Sequence, residues 1–388
     1  MAITNKIGPP VTGDDFFGRQ AELARAHELL DSNHSLVLSA PRRIGKSSFA
    51  KRLIEDKQAQ GWSGIYIDLE GVRTRDEFLK LLLSNFDKSG IWVEASKAAG
   101  HMLERVLESV KGIGPLKLDF SRPETTEDFY TSLSGIIDHT KDVLIVIDEL
   151  TLFLNILDRE AGNSRETEFF LNWFRSLRQV TGSKIRWIFC GSIGLHNFTR
   201  TRNLSMTIND LADFDFDALP ESEARGLVSA LSEAENLPLS PGLIDAFLKK
   251  IEWYIPYFIQ LLFTNVKSLA QDQGGVTEET IREAFDKLAH SESLSTWSER
   301  LAEYNGQEEG ARLMLKLLCM AEESLSKEQL KASYMRLLHI EDELVADQNL
   351  STLLNMIEHD GYIMRTAGGQ RRFRSPLLKR WWYLKFVE

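Results

Sequence analysis

Leu36-Val37-Leu38-Ser39-Ala40-Pro41-Arg42-Arg43-Ile44-Gly45-Lys46-Ser47-Ser48 joins a short apolar run, a loop closing on Gly-Lys-Ser, and the start of a helical pattern. Leu36 to Leu38 have the compact apolar character of a buried strand. Phe49, Leu53 and Ile54 follow at helical spacing. Ala40 to Ser47 fit [AG]-x-x-x-x-G-K-[ST], a phosphate-binding loop whose N–H groups converge on an anion at a helix N-terminus. Ala40, Pro41, Arg42, Arg43, Ile44, Gly45, Lys46, Ser47 and Ser48 are therefore candidate nucleotide contacts. Lys46 supplies positive charge for the β- and γ-phosphates, and the Ser47 hydroxyl is a candidate magnesium ligand. The plainer alternative is an ordinary helix N-terminus. The strand before the loop and the helix after it favour the phosphate site.

A second stretch, Val143-Leu144-Ile145-Val146-Ile147-Asp148-Glu149, runs five apolar residues into two acids. Such a run suits a central strand of a parallel sheet, buried on both faces. Acids at its C-terminal end lie where open α/β sheets bind ligands. Asp148 is a candidate support for magnesium and Glu149 a candidate general base for water. The alternative is an acidic cap for the next helix. Ile185 to Cys190 form a third strand candidate, and Ser192 after it is a candidate sensor of the γ-phosphate or of water, or else a turn residue. Ile65 to Leu69 read as a further strand. Between it and the acidic strand lie a helical pattern near Phe78, Leu81 and Leu82, and a hairpin candidate at Pro115 to Phe120.

Four stretches together resemble a known group: Phe17-Gly18-Arg19-Gln20-x-Glu22-Leu23, Ser39 to Ser48 with its Pro41-Arg42-Arg43, Ile147-Asp148-Glu149-Leu150, and Cys190-Gly191-Ser192-Ile193-Gly194. They are similar to the archaeal-type ATPases, close to the STAND and origin-recognition branches of the AAA+ P-loop ATPases. The resemblance implies ATP and Mg2+ as cofactors. It implies an adenine-binding role for Phe17, Gly18 and Arg19, and a lid whose proline, here Pro256, faces the nucleotide. The glycine common before that proline is absent; Trp253 and Tyr254 precede it. The resemblance also implies an arginine acting on the γ-phosphate from a neighbouring subunit. Arg200 and Arg202 are the best-placed candidates and Arg175 and Arg178 the weaker ones; a surface role is the alternative.

The expected fold is an α/β P-loop core, a parallel sheet flanked by helices, followed by an all-α lid and a C-terminal winged helix. The expected divisions are an arm at 1–13, the core at 14–210, the lid at 211–290 and the winged helix at 291–388. Lid helices are marked by Ala224, Leu227, Val228 and Leu231, by Leu243, Phe247 and Ile251, by Phe258, Leu261 and Leu262, and by Ile281, Phe285 and Leu288 behind the cap Thr277. Ser326-x-x-Gln329 is a capping box. Leu350, Leu353, Leu354 and Ile357 stripe a further helix, and Gly368-Gly369 turns a hairpin.

The 388 residues suggest two or three domains, and 43% hydrophobic with 27% charged residues is a globular composition. No apolar run approaches the eighteen residues of a membrane span, and Met1 to Lys6 lack a signal peptide's apolar run. Cys190 and Cys319 read as reduced core thiols, so the expected location is cytoplasmic. The net charge of −11 argues against non-specific nucleic-acid binding by the whole surface. After Gly361, however, Arg365, Arg371, Arg372, Arg374, Lys379, Arg380 and Lys385 face the single acid Glu388. Leu350 to Asp360, by contrast, carry no lysine or arginine, so this helix is not expected to read bases. The leading expectation is an ATP-hydrolysing switch or assembly device that gates a protein partner, with ATP-dependent self-assembly. The alternatives are a DNA-associated ATPase of origin-recognition or transposition-regulator type, using the basic wing, and a non-hydrolysing nucleotide-bound scaffold.

Overall fold

A computed structural model describes residues 3–89, 142–179, 182–191, 194–304 and 306–388. The hairpin candidate at Pro115 to Phe120 lies outside the described residues. The chain divides into two compact units. One holds residues 20–40 and 46–216; the other holds 1–19, 41–45 and 217–388.

The first unit is built on a parallel sheet of β1 (Leu36–Ser39), β2 (Ser63–Asp68), β3 (Val143–Asp148), β4 (Ile185–Gly191) and β5 (Ala212–Asp213), in the order β2-β3-β4-β1-β5. The acidic strand β3 thus lies beside β2 and β4, and β4 separates it from β1. β3 and β4 are buried along their whole length, as their near-continuous apolar sequences require. One face of the sheet carries Val37, Ile65, Ile67, Ile145, Ile147, Trp187 and Phe189. It packs on α3 (Arg75–Lys88), α4 (Leu150–Ala161) and α5 (Arg165–Arg178), with Phe78, Phe153, Phe170 and Phe174 in edge and tilted ring contacts. The alternate side chains of the strands face α2 (Lys46–Ala59), which follows α1 (Gln20–Asp31) and buries Phe49, Leu53 and Ile54. α6 (Leu195–Thr201) follows β4.

The second unit is helical. α7 (Glu221–Ala234), α8 (Pro241–Ile251), α9 (Pro256–Gln273) and α10 (Glu278–Ala289) come first, and Thr277 and Thr280 form a capping box at α10. After the short α11 (Ser295–Glu299) come α12 (Glu308–Met320), α13 (Lys327–Leu337) and α14 (Glu343–His359). A hairpin of β6 (Ile363–Arg365) and β7 (Arg371–Phe373) and the closing α15 (Pro376–Phe386) complete the unit. The C-terminal part of this unit thus runs helix, bridge at Leu325 to Arg371, helix, helix, hairpin. Ser326 and Gln329 make the reciprocal capping box that the sequence signals. The N-terminal arm belongs to this unit: Asn5 Nδ2 donates to Thr264 Oγ1 at 2.8 Å on α9, and Ile3 is buried.

Candidate functional site

In the sheet unit, the ends of β1 and β3 bring four polar groups together. Lys46 opens α2 and is 6% exposed, with its Nζ donating to Ala40 O at 2.7 Å. Ser47 Oγ donates to Asp148 Oδ2 at 2.7 Å. Tyr66 OH, from β2, donates to the same carboxylate oxygen. Asp148 Oδ1 accepts the backbone N–H of Glu149 at 3.0 Å. The carboxylate is therefore held on both oxygens while only 4% exposed.

Glu149 sits at the N-cap position of α4 with φ of 55°, in the left-handed region, and its side chain makes no cap bond. A non-glycine residue there is uncommon, and such strain is often held at functional positions. The sequence left open an acidic cap as an alternative role for this pair. The side-chain bonds of Asp148 go instead to Ser47, Tyr66 and its own neighbour. Burial drives the Cys190 thiol far above its ordinary pKa, and Asp148 adds to the effect. Burial likewise raises the Tyr66 phenol, with Asp148 adding to it. Both groups therefore stay protonated beside the carboxylate.

Among the described residues no group of three or more His, Cys, Asp or Glu side chains could form a metal cage. Ser47 and Asp148 still suit magnesium, because they are hard oxygen donors and the ion takes one or two carboxylates together with phosphate and water. Ser47 donates its hydroxyl proton to Asp148, which leaves its oxygen lone pairs for a cation.

In the helical unit, the tip of the phosphate-binding loop and the Phe17-Gly18-Arg19 stretch are fixed by groups far away in sequence. Arg19 is 2% exposed; its Nη2 donates to Ile44 O at 3.0 Å and its N–H to Glu223 Oε2 at 2.8 Å. Gly18 has φ of +71°, a conformation glycine adopts without strain, and it lies against the Glu223 side chain. Phe17 packs against Gly226 on α7. Arg43 has φ of 66° and stacks over the Tyr257 ring at 4.8 Å. Arg42 Nη2 lies 3.5 Å from Glu303 Oε1. Pro41 meets Gly361, whose added Cβ would be 3.0 Å from Pro41 Cγ and 2.4 Å from Trp253 Cη2. Behind these contacts Arg300 and Asp360, 2% and 5% exposed, form a bidentate pair at 2.8 and 3.2 Å, and Tyr304 OH donates to Asp360 at 2.7 Å.

The other expected site residues fall as follows. Pro256 opens α9, and Tyr257 beside it carries the Arg43 contact. Gly45 has φ of +103°, open only to glycine without strain. Arg202 stacks on Phe198 at 3.7 Å and pairs with Asp158. Arg200 is exposed and donates to Asn197 at 2.9 Å. Arg178 is bidentate to Asp210, and Arg175 donates to Asn209. Ser192 lies outside the described residues. The wing's cations are engaged within their own unit: Arg365 with Glu358, Arg372 with Glu252 and Arg374 with Asp217, while Lys379 donates to Ala321 O. No motif or spacing marks Glu223, Glu303 or Gly361 as partners of these loops. Tyr66 looked like an ordinary strand aromatic.

Residues 30–198 match the family model described as the AAA domain. That stretch, the sheet order and the phosphate-binding loop together give residues 30–198 the fold of an AAA P-loop domain. Two solved structures are similar over nearly the whole chain. The Walker-type ATPase PABY2304 of Pyrococcus abyssi is 16% identical with a TM-score of 0.66, covering 97% of this chain and 99% of that one. The ORC2 protein of Aeropyrum pernix, solved as ADPNP–ADP complexes, is 11% identical with a TM-score of 0.55, covering 97% and 98%. At these identities the likeness is one of fold. No curated protein matches the sequence. No helix among the described residues is long and apolar enough to cross a membrane.

Proposed function

We propose that the protein is an ATP-hydrolysing switch that gates a protein partner. Lys46 and the loop N–H groups bind the triphosphate, Ser47 and Asp148 hold magnesium, and Glu149 orients and deprotonates the attacking water. Phe17, Gly18, Arg19 and Pro256 are further proposed nucleotide contacts, as the family resemblance implies. Bound magnesium would offset charge on the phosphates. Arg200 or Arg202 of a second copy completes the site on self-assembly.

The observation that carries the switch is the hold on the loop tip. Pro41, Arg42 and Arg43 are gripped by Gly361, Glu303 and Tyr257, residues of the lid and the C-terminal region. A loop that rearranges around a γ-phosphate must pull on these groups, which is the order-and-release logic of nucleotide switches. A protein partner is supported by the turn between α13 and α14, where Leu337, Leu344 and Val345 are exposed beside Glu341, Asp342 and Glu343. Such an exposed apolar cluster suits contact with a protein face.

Glu149→Gln tests the reading. It is expected to keep ATP affinity, to lose phosphate release, and to retain a co-purifying protein in ATP. Undiminished hydrolysis in this variant would remove Glu149 as the base. The DNA-associated reading requires Arg365, Arg372 and Arg374 to exchange their acid partners Glu358, Glu252 and Asp217 for phosphates. It predicts affinity for duplex DNA that falls steeply with salt.

A further inference from the structure

We infer that Tyr66 is the positioning residue of the magnesium site, the group that aims Asp148 so that Asp148 in turn aims the Ser47 hydroxyl. The inference rests on the proposed nucleotide–magnesium reading and names a residue that reading does not contain. Tyr66 pairs with Val146 across the β2–β3 ladder, so Asp148, two residues on, is its diagonal neighbour on the same face. Its phenol and the Ser47 hydroxyl converge on one oxygen, Asp148 Oδ2, while Oδ1 takes the Glu149 N–H. Two donors on one oxygen and a backbone donor on the other leave the carboxylate a single orientation. In that orientation Ser47 gives its proton to Asp148 and turns its lone pairs outward. Without the phenol the carboxylate can rotate about χ2, and the Ser47 oxygen loses its fixed aim.

The hydroxyl can be separated from the ring. The ring packs beneath Lys51 Nζ at 4.8 Å, a contact that phenylalanine keeps. Tyr66→Phe therefore removes the aiming bond and leaves the packing. Outer-shell partners of metal ligands are typically worth about 10- to 100-fold in metal affinity.

The test is equilibrium binding of a fluorescent ATP analogue to the full chain carrying Glu149→Gln, first in EDTA and then across a MgCl2 titration. In the Tyr66→Phe variant, affinity in EDTA is expected to stay within about twofold, while the magnesium concentration giving half-maximal enhancement rises about tenfold. Ser47→Ala serves as the comparator and is expected to lose the enhancement. An unchanged magnesium midpoint in Tyr66→Phe would overturn the inference alone. Equal weakening with and without magnesium would also overturn it, because that is the mark of a structural lesion. No magnesium response in the parent would overturn the metal reading itself and this inference with it.

Discussion

Asp360→Ala is expected to be among the most damaging single changes in the helical unit. Asp360 accepts from Arg300 at 2.8 and 3.2 Å and from Tyr304 at 2.7 Å. Truncation leaves a guanidinium that is 2% exposed without its carboxylate. Breaking a buried pair from one side costs about 3–5 kcal/mol, since the remaining charge stays desolvated. That is a large share of the roughly 5–15 kcal/mol that holds a domain together. With a urea slope of about 2 kcal/mol/M, the unfolding midpoint should fall by about 1.5–2.5 M. Trp253, Trp297, Trp381 and Trp382 belong to this unit and Trp62, Trp173 and Trp187 to the other, so intrinsic fluorescence reports both and the shift is read against the wild-type transition. The double variant Arg300→Met with Asp360→Leu removes both charges and should recover most of the loss. A midpoint shift below about 0.5 M for Asp360→Ala, or a double variant as weak as the sum of the two single changes, would refute the reasoning. Glu303 and Gly361 flank this pair in sequence, so Asp360→Ala should weaken ATP binding as well.

Gly361→Ala places a Cβ 2.4 Å from Trp253 Cη2 and 3.0 Å from Pro41 Cγ at a φ of +84°. A loss of about 1–3 kcal/mol is expected, read as a lowered Tm, together with weaker ATP binding from the displaced loop tip; an unchanged Tm would contradict it. Burial pushes the Cys319 thiol up to about 11 and drives the Cys190 thiol well above its ordinary value. Only thiolates alkylate rapidly. Iodoacetamide at pH 8 should therefore add nothing to the native protein and two groups once it is unfolded in guanidinium, counted by intact mass; fast native labelling would contradict it.

The strands were legible because each carries a purely local signal. Leu36 to Leu38, Val143 to Ile147 and Ile185 to Cys190 are apolar runs bounded by polar or turn residues, and all three are strands of the sheet. The helices of the second unit followed from their stripes and from caps such as Ser326 with Gln329. β5 escaped because two residues carry no period. The wing read as a cationic stripe because its acid partners, Glu252 and Asp217, lie more than a hundred residues away. The same distance hid Glu223 from Arg19 and Glu303 from Arg42. Motif spacing locates groups that meet a ligand, but it says little about the groups that hold the motif in place.

The strand order has a consequence for how the chain comes to be folded during synthesis. β1 pairs with β4 through Leu36 and Ile188, and with β5 through Leu36 and Ala212. Neither neighbour exists until about 150 further residues have been made. At about 5–20 residues per second, β1 emerges roughly 8–30 s before it can be paired on either side. During that interval a ribosome-bound chain presents Leu36-Val37-Leu38 as an open apolar edge, a template for pairing with other chains. The phosphate-binding loop is therefore made well before the strands that scaffold it.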